Sequence, residues 1–200
     1  FLFDSPHRGT WSRFLQPEGR LHHRHVVNGT KDFAMSARLD ALRSEIGFHN
    51  CDGFVSFSPP VNEYLTGFRG STSAVLVTQE VAVFLCDFRY TEQAGEQVQG
   101  FAVEEVQGAL ETRAGEALAR LGASRVAVEP GTLTLAQSLT LEKALGAALH
   151  PVKGISVEAR QVKSPEEQEK LRATVALAEN ALSAVLPVLK EGITEAEFVA

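Results

Sequence analysis

The sequence is poor in several residue types, and each shortage narrows the class of protein. Only two cysteines occur among the 200 residues, Cys51 and Cys86, and each follows or ends an apolar run. We therefore expect two buried free thiols in a reducing cytoplasm rather than a disulfide or a metal pair. The 19 Lys and Arg residues form no cluster and are outnumbered by 25 Asp and Glu, which argues against a nucleic-acid surface. No stretch approaches the roughly 20 apolar residues of a membrane span, so no membrane contact is expected.

Methionine occurs once, at Met35, and tryptophan once, at Trp11. The chain begins with Phe1, and residues 1–34 are rich in Arg and His and keep no period typical of a helix or strand. We therefore expect Met35 to be the natural start and residues 1–34 to be a non-native or disordered leader, from upstream read-through or a cloning remnant. The leader lacks the apolar centre of a signal peptide. A mitochondrial presequence stays open, although three acidic residues count against it.

After Met35 the sequence has the composition of a globular domain, with 44% hydrophobic and 22% charged residues in the whole chain. Two continuous apolar runs, 73–78 and 81–86, are separated by only two residues, which predicts a tight hairpin whose strands are covered on both faces. Further strands are predicted at 53–58, 101–106, 125–129 and 149–152, and helices at 36–47, with Ser36 as the cap, and at 90–98, 110–121 and 133–145. This alternation predicts an α/β domain over residues 35–160, with a mixed sheet of roughly six strands and helices on both faces.

A second unit, residues 161–200, is predicted to hold a linker and the first helix of another domain. Ser164 and Glu167 form a capping box around Pro165, which suits the first position of a helix. An apolar stripe follows at helical spacing: Leu171, Val175, Ala178, Leu182, Val185 and Leu189. We expect Pro187 to kink this helix and Gly192 to end it, before Thr194 and Glu197 repeat the capping signature. The chain is expected to stop inside that next helix, which leaves the stripe without most of its partner.

Histidine forms the densest group of side chains able to bind a metal, at His22, His23 and His25. A flexible peptide with this spacing can bind Zn²⁺ or Ni²⁺. The group lies in the leader, however, and has no carboxylate or cysteine partner at ligand spacing. His49 and His150 are isolated, and we interpret both as loop residues rather than catalytic bases.

The segment 67–71, Gly-Phe-Arg-Gly-Ser, has the glycines of a phosphate-binding loop. The necessary context is missing, because no predicted helix opens after it and no Lys-Ser or Lys-Thr pair follows the second glycine. The glycines are better explained by a tight turn before a strand. Ser71 is not surrounded by the glycines of a nucleophile elbow, so a nucleophilic role is not favoured either.

The segment 87–90, Asp-Phe-Arg-Tyr, lies where a predicted strand leads into a helix. The carboxyl ends of strands are where α/β folds expose their functional residues. Two interpretations stay open. In the first, Asp87 caps the helix and Arg89 pairs with Asp87 or Glu92 on the surface. In the second, Arg89 and Tyr90 project into a cleft, where they bind a carboxylate or a partner subunit.

Three groups of residues, in order, resemble a known family. The first comprises Asn62, Tyr64, Leu65, Thr66, Gly67, Phe68, Gly70 and Ser71, followed after the hairpin by Asp87, Arg89, Tyr90, Gln93 and Ala94. This pattern resembles the N-terminal domain shared by aminopeptidase P, prolidase and creatinase. The run Lys163-Ser164-Pro165-Glu166-Glu167 resembles the junction where that family's catalytic "pita-bread" domain begins, and Gly192-Ile193-Thr194-Glu195 resembles the link to its second catalytic helix. The resemblance extends from about Met35 to Ala200.

The resemblance implies a metallopeptidase that cleaves an Xaa-Pro bond with two Mn²⁺, Co²⁺ or Zn²⁺ ions. Such a pair activates a bridging hydroxide and stabilises the tetrahedral intermediate. The family's ligands are two Asp, one His and two Glu, all in the second domain. This sequence has no aspartate after Asp87, so we expect no metal site and no catalytic residue in it and no peptidase activity from it.

In family members that dimerise, the N-terminal domain commonly borders the partner subunit's active site. By resemblance, the candidates for that rim are Tyr64, Phe68, Arg69, Arg89 and Tyr90. Aromatic and Arg side chains suit a cleft for a short peptide that carries a proline ring and a carboxylate. The implied setting is a cytoplasmic homodimer. Two alternatives remain: a stand-alone α/β interaction module from a relative that has lost catalysis, and part of a creatinase-like amidinohydrolase.

Overall fold

The computed structural model of the chain describes residues 29–199, with side chains from Met35 onwards. The predicted histidine cluster and all but the end of the predicted leader lie outside the described residues. The described part of the chain divides into two compact units, the first ending at Ala159 and the second being Arg160–Ala200.

The first unit is built on one six-stranded mixed sheet, as predicted. Its strands are β1 (Gly53–Ser56), β2 (Ser73–Thr78), β3 (Ala82–Cys86), β4 (Ala102–Glu105), β5 (Val126–Val128) and β6 (His150–Pro151), in the order β4-β3-β2-β1-β5-β6. Strand β2 is antiparallel to both of its neighbours, whereas the β3–β4, β1–β5 and β5–β6 pairs are parallel. Five strands therefore run in one direction, and their carboxyl ends share one edge of the sheet.

Helices cover both faces of this sheet. They are α1 (Gly29–Phe48), α2 (Pro59–Thr66), α3 (Thr91–Gln97), α4 (Leu110–Arg120) and α5 (Leu135–Leu145), and the short α6 (Glu158–Gln161) follows at the sequence boundary between the two units. On one face α1 and α2 pack over Phe54 and Phe84, and on the other α4 and α5 pack over Val55 and Leu85. Every residue of β2 and β3 is buried, which confirms the prediction that both hairpin strands are covered on both sides.

Most element ends of the first unit agree with the sequence predictions to within two residues, and three differences are larger or change the kind of structure. The first helix begins at Gly29 and runs through Ser36, so Ser36 is not its cap and the last residues of the predicted leader are helical. Helix α2 is absent from the sequence predictions, because the pair Pro59–Pro60 follows the predicted strand 53–58 as a strand end would. Proline is favoured at the first turn of a helix, where its missing N–H has no partner to lose. The helix predicted to begin at Tyr90 starts one residue later, after a 3₁₀ turn at Phe88–Tyr90.

The second unit contains α7 (Pro165–Val185), a 3₁₀ turn at Leu186–Val188 and α8 (Glu195–Val199). The predicted capping box is present: the Ser164 hydroxyl accepts from the Glu167 N–H, and the Glu167 carboxylate accepts from the Ser164 N–H. The apolar stripe of α7 is exposed, with Leu182 at 56%. By length and composition alone the stretch Pro165–Val188 could cross a membrane, because an 18-residue window within it has a mean hydropathy of 1.2. Core helices of soluble proteins reach the same length and hydropathy.

Candidate functional site

The predicted rim residues lie mostly at the edge of the sheet where the parallel strands end. The turn after β3 holds residues 87–90, and the loop before β2 holds residues 67–71. Because β2 runs opposite to β3, its first residue lies beside the last residue of β3, with Ser73 paired to Cys86. The topology therefore brings the two sequence motifs together. Ligands of α/β proteins commonly bind at such an edge.

Asp87 organises the turn after β3. Its carboxylate accepts a hydrogen bond from the Arg89 N–H at 3.0 Å and forms a salt bridge to the Arg89 guanidinium, with 2.6 Å between Oδ2 and Nη2. The hydrogen bond from the Arg89 side chain lowers the pKa of Asp87, and the same carboxylate raises the pKa of Arg89. The interpretation of Asp87 as a cap paired with Arg89 is confirmed. The Arg89 side chain stays 59% exposed, so the pair adds little stability and its free face points to solvent.

Tyr90 joins this turn to the loop before β2. Its hydroxyl lies 3.0 Å from the Ser71 hydroxyl, and its ring meets the Phe68 ring edge-on at 5.5 Å. Phe68 is only 1% exposed and packs on Phe84 in the core, so its part in any rim is to support Tyr90. A Cβ at Gly70 would lie 2.4 Å from the Phe68 ring, which explains a residue without a side chain there.

Arg69 is held by three separate contacts. Its guanidinium pairs with Glu63 at 2.7 Å, its N–H donates to the Gln97 side chain, and its carbonyl accepts from Gln93. Gly67 ends α2 with a left-handed φ of 78°, which fits the predicted role of a turn glycine. Neither Glu63 nor Gln97 is among the predicted partners of this loop.

Phe88 was also missed as a surface residue. It is 73% exposed between Asp87 and Arg89, although phenylalanine is usually buried. The exposed face at this edge therefore combines an aromatic ring, the Arg89 guanidinium and the paired hydroxyls of Ser71 and Tyr90. Such a mixture can bind a ligand that has both an apolar body and a carboxylate.

Tyr64, the fifth predicted rim residue, makes a separate set of contacts. The Arg38 guanidinium lies 4.2 Å from the centre of its ring and donates to its carbonyl oxygen at 2.8 Å. Its hydroxyl donates to the carbonyl of Ala159 at 3.3 Å. These residues line a cavity of about 400 Å³ between α1, α2 and residues 153–159. The structure thus gives Tyr64 contacts that none of the other four candidates shares.

The two cysteines and the two isolated histidines singled out in the sequence form no catalytic arrangement. Cys51 and Cys86 are free and buried, as predicted, and burial raises the pKa of Cys86 to about 11, so its thiol stays protonated near neutral pH. His49 follows α1, whereas His150 lies in β6 rather than in a loop. Within residues 29–199, no group of three or more His, Cys, Asp or Glu side chains is placed to hold a metal ion.

Comparison with known proteins gives the fold its family. A family model described as the creatinase/prolidase N-terminal domain matches residues 38–162. The chain belongs to this family. A curated protein of Bacillus subtilis (strain 168), the uncharacterized peptidase YqhT, is 32% identical over 159 residues, which are 79% of this chain and 45% of that protein.

Solved structures agree with this family assignment. The Xaa-Pro dipeptidase from Bacillus anthracis is similar with a TM-score of 0.78 at 26% identity, over 82% of this chain and 46% of that one. The N-terminal domain of the cytoplasmic peptidase PepQ from Mycobacterium tuberculosis is similar with a TM-score of 0.56 at 26% identity, over 60% of this chain and 95% of that one. The chain therefore spans about half the length of the longer proteins that it matches.

Proposed function

We propose that this chain is the non-catalytic N-terminal domain of an Xaa-Pro peptidase, where it supports dimerisation and shapes the peptide site. The observation that carries the proposal is the match of residues 38–162 to the creatinase/prolidase N-terminal domain. The Xaa-Pro dipeptidase that it resembles is about twice as long, since the match covers 46% of that structure. A cytoplasmic setting fits the name of the PepQ relative.

Under this proposal, the whole enzyme cleaves Xaa-Pro bonds with two divalent metal ions, Mn²⁺, Co²⁺ or Zn²⁺, which would supply an activated hydroxide. The residues described in this chain do not fit such a pair, because none of them form a cluster of three metal-binding side chains. No step of the hydrolysis is therefore assigned to them. Their contribution is to bind and orient the peptide or the partner subunit.

The rim face at the carboxyl edge of the sheet suits that task. Asp87 fixes the orientation of the Arg89 guanidinium through two parallel contacts, from Nε to Oδ1 at 3.1 Å and from Nη2 to Oδ2 at 2.6 Å. A guanidinium has five N–H donors, so further donors remain for a peptide carboxylate. A side chain that is already oriented loses less entropy when it binds. Tyr90 and the exposed Phe88 flank this donor with aromatic surface.

The rim is tested with Arg89→Ala in the full-length protein that carries this domain. We expect a higher KM for an Xaa-Pro peptide, a weaker dimer, or both, because a carboxylate or partner contact is lost. Arg113→Ala is the matched control, since Arg113 is an exposed arginine paired with Glu116 on α4. Peptide kinetics and dimer stability that match those of the control would contradict the rim assignment.

The non-catalytic role has its own test. The 200-residue chain is incubated with an Xaa-Pro dipeptide and with an Xaa-Pro tripeptide, each with Mn²⁺, and release of the N-terminal residue is measured. We expect no turnover above the buffer blank. Turnover that follows the purified chain and disappears on chelation would overturn the proposal.

A further inference from the structure

A buried carboxylate holds the segment that leaves the sheet. Glu129, at the end of β5, is only 6% exposed. Its Oε1 accepts from the Gly154 N–H at 3.0 Å, and its Oε2 accepts from the Ser156 N–H at 3.2 Å and from the Ser156 hydroxyl at 3.3 Å. A buried carboxylate is costly unless its oxygens are hydrogen-bonded. All three donors come from residues 153–159, which we call the exit strap.

The first half of the exit strap is fixed from several sides. Before it, the Val152 N–H donates to the Val128 carbonyl, which continues the pairing of β5 with β6. Within the strap, Ile155 and Ser156 are buried. Gly154 has a φ of 90°, and its carbonyl accepts from the N–H groups of Val157 and Glu158. A side chain at position 154 would be strained, because this φ belongs to the left-handed region.

The second half of the strap, which passes into α6, bonds within the strap through the Val157 and Glu158 N–H groups, which donate to the Gly154 carbonyl, and has fewer contacts to the rest of the domain than the first half. Val157, Glu158 and Ala159 are exposed. The Ala159 carbonyl accepts from the Tyr64 hydroxyl at 3.3 Å, and Arg38 holds Tyr64 in place. A single exposed hydrogen bond between neutral groups contributes little net stability. The two ends of the strap are therefore anchored with very different strength.

The strap also forms one wall of the 400 Å³ cavity. Gly154, Ile155, Ser156 and Glu158 face Leu42, Val61 and Leu65 of α1 and α2 across it. Movement of the weakly held end would widen this cavity, whereas the end at Glu129 would stay in place.

We propose that the exit strap is a hinged wall of this cavity, with Glu129 as its anchor and Tyr64 as its latch. The opening motion moves residues 157–159 and breaks the hydrogen bonds from the Val157 and Glu158 N–H groups to the Gly154 carbonyl, and the contacts of Glu129 persist while the latch opens. This inference does not depend on the proposed peptidase function, and it assigns Tyr64 to the strap rather than to the peptide rim.

The test is hydrogen exchange of individual backbone amides in the 200-residue chain. Tyr64→Phe removes only the latching hydroxyl, and we expect faster exchange at Val157 and Glu158 with unchanged exchange at Gly154 and Ser156. Glu129→Gln replaces one of the two accepting carboxylate oxygens with an amide NH₂, so that a donor faces the N–H group of Gly154 or Ser156. We expect exchange at Gly154 and Ser156 to become about tenfold to a hundredfold faster, since an unsatisfied buried group costs about 1–3 kcal/mol.

Glu142→Gln is the matched control, because the Glu142 carboxylate also accepts from a loop N–H, that of Leu149, outside the strap. It should leave all strap amides unchanged. Equal acceleration at Gly154 and Val157 in Tyr64→Phe would overturn the hinge, and unchanged exchange in Glu129→Gln would overturn the anchor. If Glu129→Gln loosens the whole sheet, Ser156→Ala decides: it removes one contact of Glu129, and it must speed exchange at Gly154 and Ser156 while β2 keeps its protection.

Discussion

Each unit of the chain carries an apolar pattern, and the first unit buries its pattern whereas the second exposes it. In the first unit the apolar residues of β2 and β3 are buried on both faces of the sheet. In the second unit the stripe that runs along α7 from Leu171 to Val185, and continues to Leu189 after the 3₁₀ turn, is exposed throughout. Helix α5 in the first unit and helices α7 and α8 in the second begin with the same local chemistry, a capping box. Local signals therefore define where a helix begins, whereas only packing partners decide what its apolar face contributes.

The largest effect that this comparison predicts concerns truncation of one apolar side chain in each unit. Phe84 is fully buried in β3 against Phe68, so Phe84→Ala should lower the free energy of unfolding of the first unit by about 3–5 kcal/mol. Leu182→Ala in α7 should change it by no more than about 0.5 kcal/mol, because the side chain is exposed.

Urea unfolding followed by circular dichroism, with exchange of the β2 amides as a second probe, measures both changes. A loss of stability in Leu182→Ala comparable to that in Phe84→Ala would break the comparison. It would mean that α7 supports the first unit through its apolar stripe.

A smaller loss of stability is expected from a substitution where helices α4 and α5 of the first unit touch. A Cβ added at Gly115 of α4 would lie 2.7 Å from the Ala144 Cβ and 2.8 Å from the Leu141 carbonyl of α5. Gly115→Ala should therefore cost about 1–3 kcal/mol, although alanine is the better helix former. Gly95→Ala in α3 is the control, because its Cβ would meet no atom within 4 Å, and it should be neutral or stabilising. Thermal unfolding of both variants gives the signs, and a stabilised Gly115→Ala would show that α4 and α5 can move apart without cost.

The fold was largely predictable because its strongest signals are local. Two apolar runs separated by Gln79 and Glu80 define the β2–β3 hairpin, and Ser164 with Glu167 defines the start of α7. Helix α2 was missed because a proline pair ends a strand as readily as it begins a helix. No feature of the neighbouring sequence distinguishes a strand end from a helix start at such a proline pair.

The candidate site was predictable only where its partners are neighbours in sequence. Asp87 and Arg89 are two residues apart, and their pairing was anticipated. The Ser71–Tyr90 contact joins residues 19 apart, and the Glu129–Ser156 contact joins residues 27 apart. Such contacts depend on strand order, which hydrophobic periodicity does not encode. Tyr64 and Tyr90 look alike in the motif, yet the sheet gives them different partners.

The smallest effect concerns one carboxylate in each unit. Asp52 accepts from the Ser124 N–H and hydroxyl and from the Arg125 N–H, which ties β1 to β5. Burial opposes ionisation of Asp52, but these hydrogen bonds outweigh it and lower its pKa. Hydrogen bonds from Thr194, three residues away, lower the pKa of Glu197 in the second unit. Asp52 joins distant parts of the chain and Glu197 does not, so only the titration of Asp52 should change the stability of the sheet.

A folded-state pKa below the unfolded value means that the stabilisation by Asp52 is complete above the unfolded pKa and is lost as the pH falls through the folded pKa. Asp52→Asn should therefore be less stable than wild type at about pH 6, and the difference should shrink towards about pH 3, where the wild-type carboxylate becomes protonated. Glu197→Gln should leave unfolding of the first unit unchanged at both values. Urea midpoints of the three proteins across this range provide the measurement. A stability difference for Asp52→Asn that stays constant with pH would show that Asp52 acts through its shape and neutral hydrogen bonds rather than through its charge.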